Sequence, residues 1–219
     1  RARRSRQGRR RASLPPTTAR TRQAARPGNG RATASTAVAD PVFLAPRLRH
    51  AAGVLHAGGV IAYPTEGVYG LGCRPDDGRA VHHLLELKQR PVSAGLILIA
   101  ASLEQLTDWI EPTPRERRRL AEPQRNPVTW LVTAGPLTPE WITGGRPTVA
   151  IRVTHHPVAA GLCLASGLPL VSTSVNRRGK PPARSALGAR LRFGRRLDLV
   201  VGGATGGAAG PTEIREAAS

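Results

Sequence analysis

Short apolar runs cut off by glycine or proline alternate along this chain with stretches that place apolar groups every third or fourth position. Gly59–Tyr63 (GVIAY) is continuously apolar and stopped by Pro64, so it reads as a buried strand. Pro64 to Gly72 holds three glycines and reads as a turn-rich loop. Arg79 to Lys88 then carries Val81, Leu84 and Leu85 at helical spacing, and Pro91 disfavours helical geometry at Arg90, so a helix should end near there. Leu96–Ala100 is an apolar strand, and Ser102 with Gln105 has the pattern of a capping box opening a helix through Ile110. Residues 111–126 are charged and proline-broken and read as a solvated face. Pro127–Thr133, Thr148–Val153, Leu168–Ser172 and Leu197–Val201 read as further strands. Pro157–Ser166, with Gly167 as its C-cap, and Ala186–Phe193 read as helices, and Gly202–Gly210 as a glycine-rich loop. Strands joined by short links as well as by helices predict an α/β (α+β) domain, a twisted mixed β-sheet with flanking helices.

Composition changes this picture at one end. Residues 1–39 hold 11 Arg and no Lys, Asp or Glu, so the formal charge of +19 divides into +11 before Asp40 and +8 after it. A segment so poor in large apolar groups cannot offset its ordering entropy. Residues 1–40 are therefore expected to form a disordered basic extension ahead of a single domain at 41–219. Such an extension suits non-specific phosphate binding by counterion release. The plainer reading, a solvated tail with no selected partner, outranks that one, and the segment also fits, equally, an organelle transit peptide or a stretch upstream of a misplaced start, since the chain contains no Met. No apolar run nears the roughly 20 residues of a membrane span, and no secretory signal is visible. Cys73 and Cys163 form neither a disulfide framework nor metal-ligand spacing. The expectation is a cytoplasmic protein with no membrane partner.

Candidate chemistry concentrates in three places. Lys88 ends the apolar stripe begun by Val81, and alone it reads as a snorkelling lysine that offsets the helix dipole. Arg90 would point away on a continuous helix, but a chain break at Pro91 lets both cations converge, which favours an anion site. Thr148, Ala150, Arg152 and Thr154 alternate with Val149, Ile151 and Val153, so one face enters the core and the other is polar. Arg152 there reads about equally as an edge ion pair or a ligand clamp. Ser172, Ser174 and Asn176 share parity at the carboxyl end of a strand, where open α/β sheets commonly bind ligands. Asx-turn chemistry is the competing reading for Asn176.

Other motif classes fail. Gly179-Lys180 lacks the following Ser or Thr of a phosphate-binding P-loop, and Gly70-x-Gly72 has Pro75 where a dinucleotide fingerprint needs a third glycine. The pairs His82-His83 and His155-His156 are adjacent rather than four apart, so no dedicated metal site is expected. Only 7 aromatic residues occur, which argues against a base-stacking surface for single-stranded RNA.

Six motifs in order carry a wider likeness: Val60-Ile-Ala-Tyr-Pro-Thr-Glu66, Glu86-Leu-Lys-Gln-Arg-Pro91, Pro127-Val-Thr129, Ala150-Ile-Arg-Val153, Ser172-Thr-Ser-Val-Asn176 and Pro211-Thr-Glu-Ile214. From about residue 47 to 216 the chain resembles the YrdC/TsaC family, the threonylcarbamoyl-AMP synthases, in its short bacterial form. The resemblance implies a YrdC-like domain around a basic cavity that makes threonylcarbamoyl-AMP and pyrophosphate from L-threonine, bicarbonate and ATP. It implies Mg²⁺ accompanying ATP as substrate, and downstream proteins that transfer the threonylcarbamoyl group to tRNA. The family's K-x-R and S-x-N elements fall on Lys88, Arg90, Ser174 and Asn176. By resemblance, Arg90, Thr148, Asn176 and Arg184 contact the nucleotide. Thr65, Gly67, Arg152 and Ser174 contact threonine, Thr212 closes the pocket, and Lys88 faces the phosphates or the carbamate.

Three departures accompany the likeness. Gln124-Arg-Asn-Pro-Val-Thr129 stands where the family commonly has W-P-G-P-V-T. Ala94 and Ile99 occupy the places of an Asn and a His found in longer members. Arg177 and Arg178 replace a small polar pair. The alternative of a different class is a non-catalytic protein of the same fold that binds double-stranded RNA or tRNA through its basic cavity and extension.

Overall fold

The computed structural model describes residues 41–124, 127–177, 179–208, 210 and 212–218. The Arg-rich extension at 1–40 and the motif residues Arg125, Asn126, Arg178 and Pro211 lie outside them. Eight strands form one mixed sheet: β1 Ile61–Pro64, β2 Tyr69–Gly72, β3 Ile97–Ala100, β4 Val128–Thr133, β5 Thr148–Val153, β6 Leu170–Ser174, β7 Leu199–Val200 and β8 Glu213–Glu216. Their order is β7-β1-β2-β6-β3-β5-β4-β8, with β1–β7, β3–β5 and β4–β8 parallel and the other neighbours antiparallel. The helices are α1 Pro41–His56, α2 Gly78–Lys88, α3 Pro114–Ala121, α4 Glu140–Thr143, α5 Pro157–Ser166 and α6 Ala186–Phe193.

Period-2 alternation divides the apolar groups between two cores on opposite faces of the sheet. Val60, Ala62, Leu98, Val149, Ile151 and Val171 meet Val81, Leu84 and Leu85 of α2 on one face. Ile61, Tyr63, Ile99 and Leu170 meet Leu48, Ala51 and Leu55 of α1 and Val158, Leu162 and Cys163 of α5 on the other. The expected alternation in β5 therefore holds, and it sends Arg152 to the face opposite Val149 and Ile151.

Several sequence expectations are corrected. The stretch read as a loop at 64–72 ends in strand β2. Its glycines serve close approach rather than a turn: a Cβ on Gly72 would lie 2.6 Å from the Val171 carbonyl oxygen and 2.7 Å from the Tyr63 ring. The helix expected from Ser102 to Ile110 is a single 3₁₀ turn, Glu104–Leu106. Gln105 is drawn elsewhere, accepting from the Ala101 N–H at 2.8 Å and donating to the Cys163 carbonyl at 2.9 Å. Residues 111–126 contain α3, because Pro114 occupies the first helical turn, where no N–H partner is lost, behind a Thr113–Glu116 capping box. Glu116 also accepts from the Thr133 N–H at 2.9 Å and so fastens α3 to β4.

Strand β6 runs two residues later than its apolar content suggested, since Pro169 cannot donate to the ladder and Ser172–Ser174 pair through backbone alone. Leu197–Val201 shortens to β7, with the Asp198 carboxylate accepting from the Val60 N–H at 2.7 Å. Helices α1 and α4 had no counterpart in the sequence reading. Among the described residues no helix is long and apolar enough to cross a membrane.

Candidate active site

Helix α2 opens on Asp77, whose carboxylate accepts from the Arg79 and Ala80 N–H groups, and closes at Lys88. The stop is made one residue before Arg90: Gln89 is left-handed, φ 53°, and the Arg90 N–H reaches back to the Leu85 carbonyl at 3.0 Å. That reversal, with Pro91 behind it, turns Lys88 and Arg90 toward the same space. A glycine meets this backbone without the Cβ clash, so Gln89→Gly is expected to raise the unfolding free energy by about 0.5–1 kcal/mol. Denaturant titration checks this, and a loss of stability would mean that the Gln89 side chain holds the turn.

Lys88 is 5% exposed. Its ammonium donates to the Ser174 carbonyl, and at 3.0 Å to both the carbonyl and the side-chain oxygen of Asn176. The Ser174 hydroxyl donates to Asn176 Oδ1 at 2.6 Å, and Asn176 Nδ2 donates to the Lys180 carbonyl at 2.7 Å. Lys88 is thus the pin that holds the outgoing end of β6. Burial, with Arg90 nearby, pushes its ammonium down from 10.5 to about 8. Between those values the unfolded chain binds more protons than the folded one, so this group's contribution to stability rises with pH from about 8 to 10.5. The unfolding free energy of the wild type is therefore expected to gain on that of Lys88→Met across this window. A constant difference would place the lysine's titration outside it.

Arg90 donates through Nη2 to the Ala94 and Gly95 carbonyls at 3.0 and 2.9 Å, and neither bond uses Nη1. Two cavities meet at this residue. The first, about 240 Å³, is lined by Thr65, Glu66, Gly67, Arg152, Ser172 and Thr212 among others, and the second, about 330 Å³, by Lys88, Pro91, Asn176 and Gly179. Arg90, Thr173 and Ser174 line both, so they are two lobes with a shared wall.

The sequence candidates sort between the lobes. Thr65, Gly67, Arg152, Ser174 and Thr212, grouped for threonine, all line the first. Arg90 and Asn176, grouped for the nucleotide, line the second together with Lys88. Thr148 opens β5 opposite Thr133 and lines neither, and Arg184 is exposed and lines neither.

Around Arg152 and Thr212 the first lobe has polar partners, Glu66, Thr129, Thr154 and His156, to which the sequence reading gave no role. Arg152, 7% exposed, donates from Nη1 to Thr212 Oγ1 at 2.8 Å, and Thr212 Oγ1 lies 2.7 Å from Thr129 Oγ1. Arg152 Nη2 is 3.6 Å from Glu66 Oε2. Burial works to raise the Glu66 carboxyl, but Arg152 and the Thr154 hydroxyl outweigh it and hold it below the usual carboxylate range. His156 Nε2 lies 3.0 Å from the Ala204 carbonyl, which only accepts, so Nε2 carries the proton. Burial lowers this imidazole below its ordinary value, against the Ala204 bond and the Glu66 charge.

Gly206 N–H donates to the Thr65 carbonyl at 3.0 Å, Ala208 N–H to the Glu66 carbonyl at 2.9 Å, and Tyr69 O–H to the Gly203 carbonyl at 2.6 Å. Residues 203–208 are thereby laced over the 65–67 loop. A Cβ on Gly67 would lie 2.3 Å from the Gly210 carbonyl oxygen. Thr154 and His156 were legible only as an extension of the polar parity of β5.

Among the described residues no cluster of three or more His, Cys, Asp or Glu is placed to hold a metal. Glu66, the one acid among the described residues lining the two lobes, is already engaged by Thr154 and Arg152.

A family model described as "Telomere recombination", named for Sua5, YciO and YrdC, matches residues 53–219. A threonylcarbamoyl-AMP synthase of Cellvibrio japonicus is 55% identical over 174 residues, 79% of this chain and 92% of that one. One from Alkalilimnicola ehrlichii is 53% identical over 176 residues, 79% and 92%. Among solved structures, P. abyssi Sua5 complexed with L-threonine is 36% identical with a TM-score of 0.68, over 72% of this chain and 47% of that one. E. coli YciO is 26% identical with a TM-score of 0.69, over 77% and 82%. This chain thus spans about half the length of the Sua5 chain but nearly all of the synthases. With residues 53–219 matched by the family model and synthases 53–55% identical over 79% of it, the chain belongs to the Sua5/YciO/YrdC family.

Proposed function

We propose that residues 41–219 form a cytoplasmic L-threonylcarbamoyladenylate synthase, converting L-threonine, bicarbonate and ATP into threonylcarbamoyl-AMP and pyrophosphate. The observation that carries this reading is the shared wall. Two substrates held in separate lobes meet at Arg90, Thr173 and Ser174. Threonine occupies the first lobe with its carboxylate on the Arg152 fork, beside Thr65, Gly67, Ser174 and Thr212. ATP occupies the second, against Asn176 and Arg90, with Thr148 and Arg184 reaching the nucleotide from outside the lobes. Magnesium arrives with the ATP phosphates rather than in a protein cage.

The threonine amine takes up bicarbonate carbon to give a carbamate with loss of water. A carbamate oxygen then attacks the α-phosphorus, and the bond from that phosphorus to the β-bridging oxygen breaks to release pyrophosphate. Negative charge gathers where the lobes join, so the catalyst required is a fixed cation, and Arg90 stands there. No covalent protein intermediate is needed. Lys88 acts on the same wall by holding the Ser174–Asn176 backbone. The product passes to proteins that transfer the threonylcarbamoyl group to tRNA.

Incubation with ATP, bicarbonate and labelled threonine should give labelled threonylcarbamoyl-AMP and equimolar pyrophosphate. ATP consumption that ignores threonine would sink the reading. The +11 charge of residues 1–39 supports an added affinity for tRNA or other RNA. Deleting residues 1–39 is expected to leave turnover at moderate salt nearly unchanged and to weaken salt-sensitive nucleic-acid binding; a large loss of turnover with the fold intact would put the extension in the site.

A further inference from the structure

The acid in the first lobe is held in an unusual way. Thr154 Oγ1 donates to Glu66 Oε1 at 2.5 Å, while Oε2 stays 3.6 Å from Arg152 Nη2, outside hydrogen-bond reach. Thr154 is itself fixed: it is 1% exposed, its hydroxyl accepts from the His156 N–H at 3.3 Å, and it follows Arg152 by two positions along the same strand direction. The backbone of Glu66 is tied down as well, through Ala208.

A guanidinium on a long stem has about 2 kcal/mol of rotamer entropy to lose when it binds a ligand. A carboxylate facing it from one side removes part of that cost in advance. A carboxylate that closed onto it bidentately would instead occupy the N–H groups the ligand needs. The observed distance lies between these extremes, with the other carboxylate oxygen held by the Thr154 hydroxyl.

We propose that Glu66 and Thr154 are a positioning pair for Arg152, Glu66 aiming the guanidinium by charge and Thr154 restraining Glu66 from capturing it. This rests on the reading that Arg152 takes the threonine carboxylate. Neither residue touches the reacting atoms.

The pair is tested by calorimetric titration of L-threonine and, separately, of ATP against Glu66→Gln, Thr154→Val, Thr154→Ser, the Glu66→Gln/Thr154→Val double variant and Arg152→Lys, with melting temperatures recorded for each. Glu66→Gln and Thr154→Val should each weaken threonine about fivefold or more while ATP binding stays within about twofold. Thr154→Ser, which keeps the hydroxyl, should bind threonine nearly as the wild type does. The double variant should be no worse than Glu66→Gln, because Thr154 acts only through Glu66. If Arg152→Lys weakens threonine but Glu66→Gln does not, the positioning pair is wrong and the assignment of Arg152 stands. If Arg152→Lys leaves threonine binding intact, the assignment fails and the pair fails with it. Should Glu66→Gln not fold, the contrast between Thr154→Val and Thr154→Ser decides, equal affinities overturning the proposal.

Discussion

Replacing Arg152 by lysine is expected to lower L-threonine affinity about tenfold or more, roughly 1.4 kcal/mol, while ATP affinity measured without threonine barely moves. The substitution keeps the charge and removes the planar fork that meets a carboxylate by two parallel hydrogen bonds. Arg152 lines the first lobe and not the second, so a defect confined to threonine follows from its place. Its Nη1 is already committed to Thr212 at 2.8 Å, and a shorter-reaching ammonium also loosens that closure. Calorimetric titration of each ligand decides the matter. Equal weakening of both, or of ATP alone, would mean that the two lobes have been assigned the wrong way round.

The second large effect is expected at Lys88. Lys88→Ala removes three hydrogen bonds from a cation, each worth about 1.5–3 kcal/mol before water replaces part of the loss. It also strands the Ser174 and Asn176 carbonyls that the ammonium holds. We expect about 3 kcal/mol or more of lost stability together with most of the turnover, because the 174–176 backbone is the wall common to both lobes. Arg90→Ala is expected to separate these consequences. Arg90 is half-buried and spends its bonds on nearby carbonyls, so the fold should lose little while turnover and ATP affinity fall. Thermal unfolding read beside pyrophosphate release distinguishes the two. A Lys88→Ala protein that melts like the wild type but binds no ATP would make Lys88 a phosphate ligand rather than a pin.

Local physics made much of this molecule legible from its sequence. Helix α5 runs from Pro157 to Ser166 with Gly167 left-handed at its end, as proline and glycine at those places dictate. Helix α6 occupies the same eight residues that its pattern marked out, and the alternation in 148–153 gave both β5 and the side on which Arg152 lies. The six ordered motifs pointed to the family. In each case the signal is carried by neighbours a few positions apart, where sequence spacing and spatial proximity coincide.

What only the tertiary structure decided depends on neighbours far along the chain. Gly70 and Gly72 read as turn residues until Thr65 and Ser172 close on the first and Val171 and the Tyr63 ring on the second, and then they are strand residues suited by their lack of bulk. Lys88 read as a ligand for anions, yet its bonds run to carbonyls 86 and 88 positions away, which no local pattern encodes. Arg152 and Thr212 meet across 60 positions and Thr154 and Glu66 across 88, so the restraint on the fork exists only once β5, the 65–67 loop and the end of the chain share one cavity wall. Hydrophobic period and capping are set within a turn or two of backbone. The division of one polar surface into two lobes is set by sheet order, which the periodicity of the chain leaves open.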